Sequence, residues 1–309
     1  MDPSGVRIVL GPVGGSDFVE RLGDVDGVVS VVAGTMETVG DLLAVADVLI
    51  TYRWSDEWMV PGLKWIQSVS AGTDQYPLDA LRDAGIVLTS AVGIHEVQVS
   101  EHAIGLLLAL TRGIAPSIRN QRDHVWEWNR VIDLDGMTLG VLGLGTIGEA
   151  VARKASAFGM QVIGTKRSAD GYSGAAVEVF EPAGTLEVCR RSDAVIVTLP
   201  GGGDTHHIVG AEELAALAGG FLINVGRGSV IDEAALVNAL EGGILRGVGL
   251  DVFEQEPLAA DSPLWDFPEV IVSPHLAGAS PRYAERLARL FARNLAALRG
   301  EQEWVNRVV

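Results

Sequence analysis

Three apolar runs in the second half of the chain each end at an ionisable residue. Phe221-Leu-Ile-Asn-Val225 leads into Gly226-Arg227-Gly228. Val248-Gly-Leu250 leads into Asp251, with Glu256-Pro257 shortly after, and Val270-Ile-Val-Ser273 leads into Pro274-His275. Short Val, Ile and Leu runs suit buried parallel strands, and such strands open their following loops on one edge of a sheet. An arginine, a carboxylate and an imidazole on one edge can grip an anion, stabilise charge growing on an oxygen and move a proton. Glu256 beside His275 would orient the ring and favour its protonated form. Asp251 suits the amide of a bound nicotinamide, or the holding of its own loop. None of these spacings is specific alone; their joint placement is. The plain alternative is an Arg227–Glu256 structural ion pair, with His275 capping a loop.

The elements that must position these groups start at Leu139-Gly-Val-Leu-Gly-Leu-Gly-Thr-Ile-Gly148. Leu139 to Leu142 has strand length and character. Gly143, Gly145 and Gly148 complete G-x-G-x-x-G, and Ala150 to Phe158 carries helical spacing up to Gly159. Strand, glycine turn and helix is the context in which this motif binds a dinucleotide, its pyrophosphate on the free N–H groups of the helix N-terminus. An acid about twenty residues beyond the glycines binds the ribose 2′-hydroxyl of NAD. Here that place holds Gly164-Thr165-Lys166-Arg167-Ser168. Two cations and a hydroxyl favour a 2′-phosphate, hence NADP over NAD; Asp170 is the acid that a small register change would bring to the ribose. Another strand-like run ends at Leu199-Pro200 on the same edge, followed by the pliant Gly201-Gly202-Gly203. Thr205 is expected to cap that loop or touch phosphate. His206 and His207 read as solvent-facing, and no metal site is expected, because no cysteine or carboxylate stands at ligand spacing. A hydride carrier beside Arg227 and His275 fits reduction of a 2-keto acid. The carbonyl carbon takes hydride, the oxygen takes a proton, and the substrate carries a carboxylate for the arginine.

Residues 1 to about 90 alternate strand-like runs (7–10, 28–32, 48–51, 63–69, 86–89) with helical patterns (16–22, 38–46), a parallel α/β layout. After two of these strands come Tyr52-Arg53-Trp54 and Ser70-Ala71-Gly72-Thr73-Asp74. Ala71 and Gly72 offer bare backbone N–H groups to a small carboxylate, or form a plain turn. His95 to Arg112 is a long helix with a stripe at Val99, Ala103, Leu106, Leu107 and Leu110, and it carries the chain from one domain to the next. Glu101 and His102 on it read as capping or interface groups. Trp126 and Trp128 sit in a polar connection, where they suit a subunit contact or a packing cluster within one chain.

A formal net charge of −17 argues against nucleic acid and anionic membrane as partners. No apolar run reaches membrane-spanning length, and the start lacks a signal-type core, so a cytoplasmic protein is expected. Lysine occurs only at Lys64, Lys154 and Lys166. The single Cys189 excludes an internal disulfide and reads as structural.

The glycine motif, Asn224-Val-Gly-Arg-Gly-Ser-Val-Ile-Asp232, Leu250-Asp-Val-Phe-Glu-Gln-Glu-Pro257 and Ser273-Pro-His275 together resemble the D-2-hydroxyacid dehydrogenases. The resemblance covers essentially the whole chain. It implies two doubly wound parallel-sheet α/β domains with a cleft between them. One is a Rossmann-type nucleotide domain over 96–281; the other is a flavodoxin-like substrate domain built from 1–95 and 282–309, the last helix (281–298) crossing back. It implies an Arg227–Glu256–His275 catalytic set and a substrate carboxylate at Ala71 and Gly72, with Arg53 nearby. Cofactor contacts are implied at Thr146, Ile147, Val225, Gly226, Asp251 and Gly278, and a homodimer through the nucleotide domain fits Trp126 and Trp128. The NADP-preferring haloarchaeal branch looks nearest, from 164–168, 262–267 and the ending Asn306-Arg-Val-Val309. A formate-oxidising relative would be expected to carry glutamine in place of Glu256, and a nicotinamide-sensing binding protein on the same fold would bind without turnover.

Overall fold

The computed structural model describes residues 5–12 and 16–309. The chain divides into two compact units, Met1–His95 with Ser280–Val309, and Glu96–Ala279. In the first unit, β1 (Val6–Leu10), α1 (Ser16–Gly23), β2 (Val28–Ala33), α2 (Val39–Leu43), β3 (Val48–Thr51), β4 (Trp65–Ser68), α3 (Leu78–Asp83) and β5 (Val87–Thr89) follow in order. The strands pair in parallel as β2-β1-β3-β4-β5, the flavodoxin-like order. Every residue of β3 and β4 is buried. Successive side chains point to opposite faces, so Ile8, Leu10, Val48, Ile50 and Trp65 feed one core while Val9, Leu49 and Ile66 feed the other. That two-sided burial is why these runs read as continuous rather than alternating.

The second unit contains α4 (Glu96–Thr111), α5 (Ile114–Arg122), β6 (Thr138–Leu142), α6 (Thr146–Ala157), β7 (Gln161–Thr165), β8 (Glu178–Phe180), α7 (Thr185–Arg190), β9 (Ala194–Val197), α8 (Ala211–Ala216), β10 (Phe221–Asn224), α9 (Glu233–Glu241), β11 (Gly247–Leu250) and β12 (Val270–Val272). Its seven parallel strands lie in the order β12-β11-β10-β9-β6-β7-β8. The strand order reverses at β6 and β9, the place where open α/β sheets bind ligands beyond the carboxyl ends of their strands. Val141, Ile196 and Ile223 face one core, and Leu142, Val195, Val197 and Leu222 face the other. Cys189 on α7 lies in the second core at 1% exposure, and its burial, with Glu213 adding to it, pushes the thiol up to about 12. It is therefore a packed apolar group and no nucleophile at neutral pH.

The last helix, α10 (Tyr283–Leu298), belongs to the first unit. Leu287, Leu290, Phe291 and Leu295 follow helical spacing into the same core as β1 and β3, and Phe291 stacks on Trp65 at 4.8 Å between centroids. Among the described residues no helix is long and apolar enough to cross a membrane.

Candidate active site

The glycine turn is built for an anion. Gly143 sits at φ +100°, open to glycine and rarely to other residues. A Cβ at Gly148 would lie 2.2 Å from the Gly143 carbonyl oxygen, so only glycine lets α6 approach its strand this closely. A Cβ at Gly145 would meet nothing within 4 Å. Among the described residues, the Thr146, Ile147 and Gly148 amides donate no hydrogen bond. Three unpaired N–H groups at the start of a 12-residue helix, with open space before them, fit a pyrophosphate. Beyond β7, Arg167 and Ser168 are exposed, and among the described residues no ion pair or side-chain hydrogen bond engages them. Lys166 behaves differently: its ammonium reaches back to the Leu144 carbonyl at 2.5 Å and so steadies the glycine turn. On the opposite side of the switch point, the Thr205 hydroxyl donates to the Pro200 carbonyl at 2.8 Å. The same hydroxyl lies 3.2 Å from the Gly202 carbonyl, so here Thr205 caps its own loop. Leu199 packs toward the glycine turn, 2.9 Å from where a Gly143 Cβ would stand.

Arg227, just past β10, has extended backbone. Asn224 fixes its turn: the side-chain amide donates to the Arg227 carbonyl at 3.0 Å, and its oxygen accepts from the Gly226 amide at 3.0 Å. The guanidinium Nη1 donates to the Gly226 carbonyl at 2.9 Å. Among the described residues no carboxylate pairs with it, so the alternative of an Arg227–Glu256 ion pair is not realised. Glu256 instead holds His275, Oε2 to Nδ1 at 2.6 Å, while its Oε1 accepts from the Phe253 amide at 3.1 Å. With Nδ1 occupied, Nε2 is the nitrogen left to face a substrate. Both side chains are part-exposed, 48% for His275 and 35% for Glu256, which leaves room for one.

Asp251 holds its own loop. It is 1% exposed. Its Oδ1 accepts from the Ser273 hydroxyl at 2.5 Å and the Leu276 amide at 2.9 Å, its Oδ2 from the Ala277 amide at 2.9 Å, and its backbone carbonyl from the His275 amide at 2.8 Å. Burial alone would raise its pKa; hydrogen bonds from His102, Ser273 and the two amides outweigh that and hold the carboxyl below its usual range. His275 itself stands at φ +51°, a sparsely populated region for a non-glycine residue, and Asp251 pins it there. Sequence reading had His102 as a cap or interface group. Its Nε2 lies 3.0 Å from Ser273 Oγ and 3.4 Å from Asp251 Oδ1. Gly278 offers its carbonyl to Gln98 at 3.2 Å, and Val225 is buried.

In the first unit, Arg53 follows β3 and Ala71-Gly72 follow β4, neighbouring parallel strands. Tyr76 donates to the Thr51 carbonyl at 2.8 Å and Gln75 to the Tyr52 carbonyl at 2.8 Å, tying the two loops together. The Ala71 and Gly72 amides donate no hydrogen bond among the described residues, and Arg53 is exposed. Trp126 and Trp128 are 96% and 93% exposed. They form no packing cluster within the chain, and they border a groove of about 610 Å³ beside α5. No metal-binding cluster occurs among the described residues.

Residues 104–277 match the family described as D-isomer specific 2-hydroxyacid dehydrogenase, NAD binding domain. The chain is 37% identical over 251 residues to the glyoxylate reductase of Thermofilum pendens, covering 78% of this chain and 74% of that one. It is 36% identical over 253 residues to glyoxylate/hydroxypyruvate reductase B of Pectobacterium carotovorum, covering 78% of each. The crystal structure of the NADPH-dependent glyoxylate/hydroxypyruvate reductase of Sinorhizobium meliloti in complex with citrate superposes with a TM-score of 0.81 at 29% identity, over 98% of each chain.

Proposed function

Because the chain belongs to the D-isomer specific 2-hydroxyacid dehydrogenases and is an NAD(P)-dependent enzyme of that family, we propose that it reduces small 2-keto acids, glyoxylate and hydroxypyruvate foremost, to D-2-hydroxy acids with NADPH. The observation that carries this reading is the His275 Nδ1–Glu256 Oε2 contact at 2.6 Å, together with an Arg227 that no carboxylate pairs with among the described residues. When bound, the reduced nicotinamide supplies a hydride. Gly143, Gly145, Gly148 and the amides of Thr146 and Ile147 hold the dinucleotide, with Val225, Gly226 and Gly278 lining its edge. Arg227 grips the keto acid and draws charge onto its oxygen. Glu256 keeps Nδ1 of His275 engaged, so Nε2 gives its proton to that oxygen, and takes it back in the reverse direction. The free Ala71 and Gly72 amides, with Arg53, are proposed to bind a carboxylate.

The test is NADPH and NADH oxidation, followed by absorbance, across glyoxylate, hydroxypyruvate and pyruvate. Failure with every keto acid would overturn the reading. Equal or better rates with NADH would remove its coenzyme part. That part rests on Arg167, the exposed cation without a partner, and Ser168, with Lys166 placing the turn. Arg167→Asp is expected to lower kcat/KM for NADPH about ten- to a hundred-fold, the worth of a charge-assisted bond, with NADH little affected. An unchanged NADPH preference would put the phosphate site elsewhere.

The exposed tryptophans support a homodimer formed through the nucleotide-binding unit. Aromatic anchors of this kind contribute roughly 2 kcal/mol or more each. Trp126→Ser with Trp128→Ser is therefore expected to turn a dimer into a monomer at micromolar concentration, as read by light scattering; a persisting dimer would place the contact on another surface.

A further inference from the structure

A polar residue on the inward stripe of α4 connects to the proton-transfer loop. His102 shares its helical face with Val99, Ala103 and Leu106, all buried, and its side chain is 21% exposed. The helix seats on β11 through two glycines. A Cβ at Gly247 would lie 3.2 Å from Leu110, and one at Gly249 would lie 3.1 Å from Leu106. Two residues further along that strand face comes Asp251; four residues back along the helix comes His102. Two strand residues advance about 6.6 Å and four helix residues about 6.0 Å, so the two elements stay in step and the third pair meets. The bare strand face is what brings His102 onto Asp251.

The protons can be counted. Ser273 has one hydroxyl hydrogen, and its 2.5 Å contact with the ionised Asp251 Oδ1 uses it. The 3.0 Å contact between Ser273 Oγ and His102 Nε2 must then be donated by the imidazole. A lone pair at Nε2 would instead face both Ser273 Oγ and, at 3.4 Å, the carboxylate oxygen.

We propose that His102 is a positioning residue for the reaction: through Ser273 it fixes the Asp251 carboxylate, which in turn holds the amides of Leu276 and Ala277, next to the His275 amide held by the Asp251 carbonyl, and so aims the His275 ring. This rests on the reading of His275 as the proton donor. Small misplacements of a reacting group cost about a hundred-fold in rate.

The experiment compares His102→Leu, Ser273→Ala, the double variant, His102→Gln and His275→Ala in the full chain, with the coenzyme and keto acid that the wild type turns over. His102→Leu and Ser273→Ala are each expected to lower kcat about ten- to a hundred-fold while leaving the coenzyme KM nearly unchanged. The double variant should fall no further than the worse single one, since both break one chain of contacts. Glutamine places an N–H near the same point, so His102→Gln should recover most of the wild-type kcat. Should His102→Leu fail to fold, Ser273→Ala, which removes only the bridging hydroxyl, carries the test. Wild-type kcat in these variants while His275→Ala is inactive would overturn the inference alone, as would a loss confined to KM or a glutamine variant as slow as the leucine one. Full turnover in His275→Ala would bring down the reading of the site and this inference with it.

Discussion

Replacing His275 with alanine is expected to lower kcat for keto-acid reduction by about two to four orders of magnitude, the usual worth of a placed general acid, and to leave coenzyme binding nearly intact. Neither Asp251 nor Arg227 can substitute. Asp251 is 1% exposed and engaged with the hydroxyl and amides it holds, and the guanidinium of Arg227 does not release protons at working pH. His275 holds no strand or core in place; its ring contacts Glu256 at the surface, so folding should survive the change. Steady-state rates together with coenzyme binding, measured by quenching of tryptophan fluorescence, separate the two effects. A kcat within tenfold of the wild type would assign the proton to another group.

A single methyl group at residue 228 is expected to do comparable damage by a different route. A Cβ on Gly228 would stand 1.8 Å from the Phe253 carbonyl carbon, 1.9 Å from its oxygen and 2.4 Å from the Glu254 nitrogen. These are backbone atoms with no rotamer to yield, so either the turn after β10 or the loop after β11 must move. The first carries Arg227. The second carries Glu256, whose Oε1 is held by the Phe253 amide. Overpacking of this kind costs about 1–3 kcal/mol and occasionally more, and contact with two rigid chains puts Gly228→Ala at or above the upper end. We expect a lower Tm and, in whatever remains folded, a fall in kcat, because the separation of Arg227 from Glu256 and His275 has changed. A variant with wild-type Tm and rate would mean that the two loops slide freely past each other.

The strands were legible because burial on both faces leaves unbroken apolar runs; Arg227, Asp251 and His275 stood out as candidates because each follows such a run within two residues, and Glu256 because it comes shortly after one. Run length overstates a strand where apolar residues continue into a turn: 63–69 shrinks to Trp65–Ser68. Conversely, α6 starts at Thr146, earlier than its apolar spacing suggests, since the glycine turn itself begins the helix. The three-residue edge strand β8, one of them charged, gives no periodic signal. Side-chain commitments were the least legible. Whether Asp251 faces a ligand or its own loop depends on amides two dozen residues away, and His102 meets Ser273 across 171 positions. Lys166 and Arg167 are adjacent and alike in charge, yet one turns inward to Leu144 and the other outward. A signal did exist for His102: it falls on the apolar stripe of its helix, where a polar side chain has to find a partner.

The lone thiol on α7 has a practical consequence. An alkylating reagent can reach Cys189 only when the sheet and helices around it part, so its labelling rate times the opening of that unit alone. Because the chain has no second cysteine, the same burial leaves the folded chain no accessible thiol to cross-link in an oxidising medium.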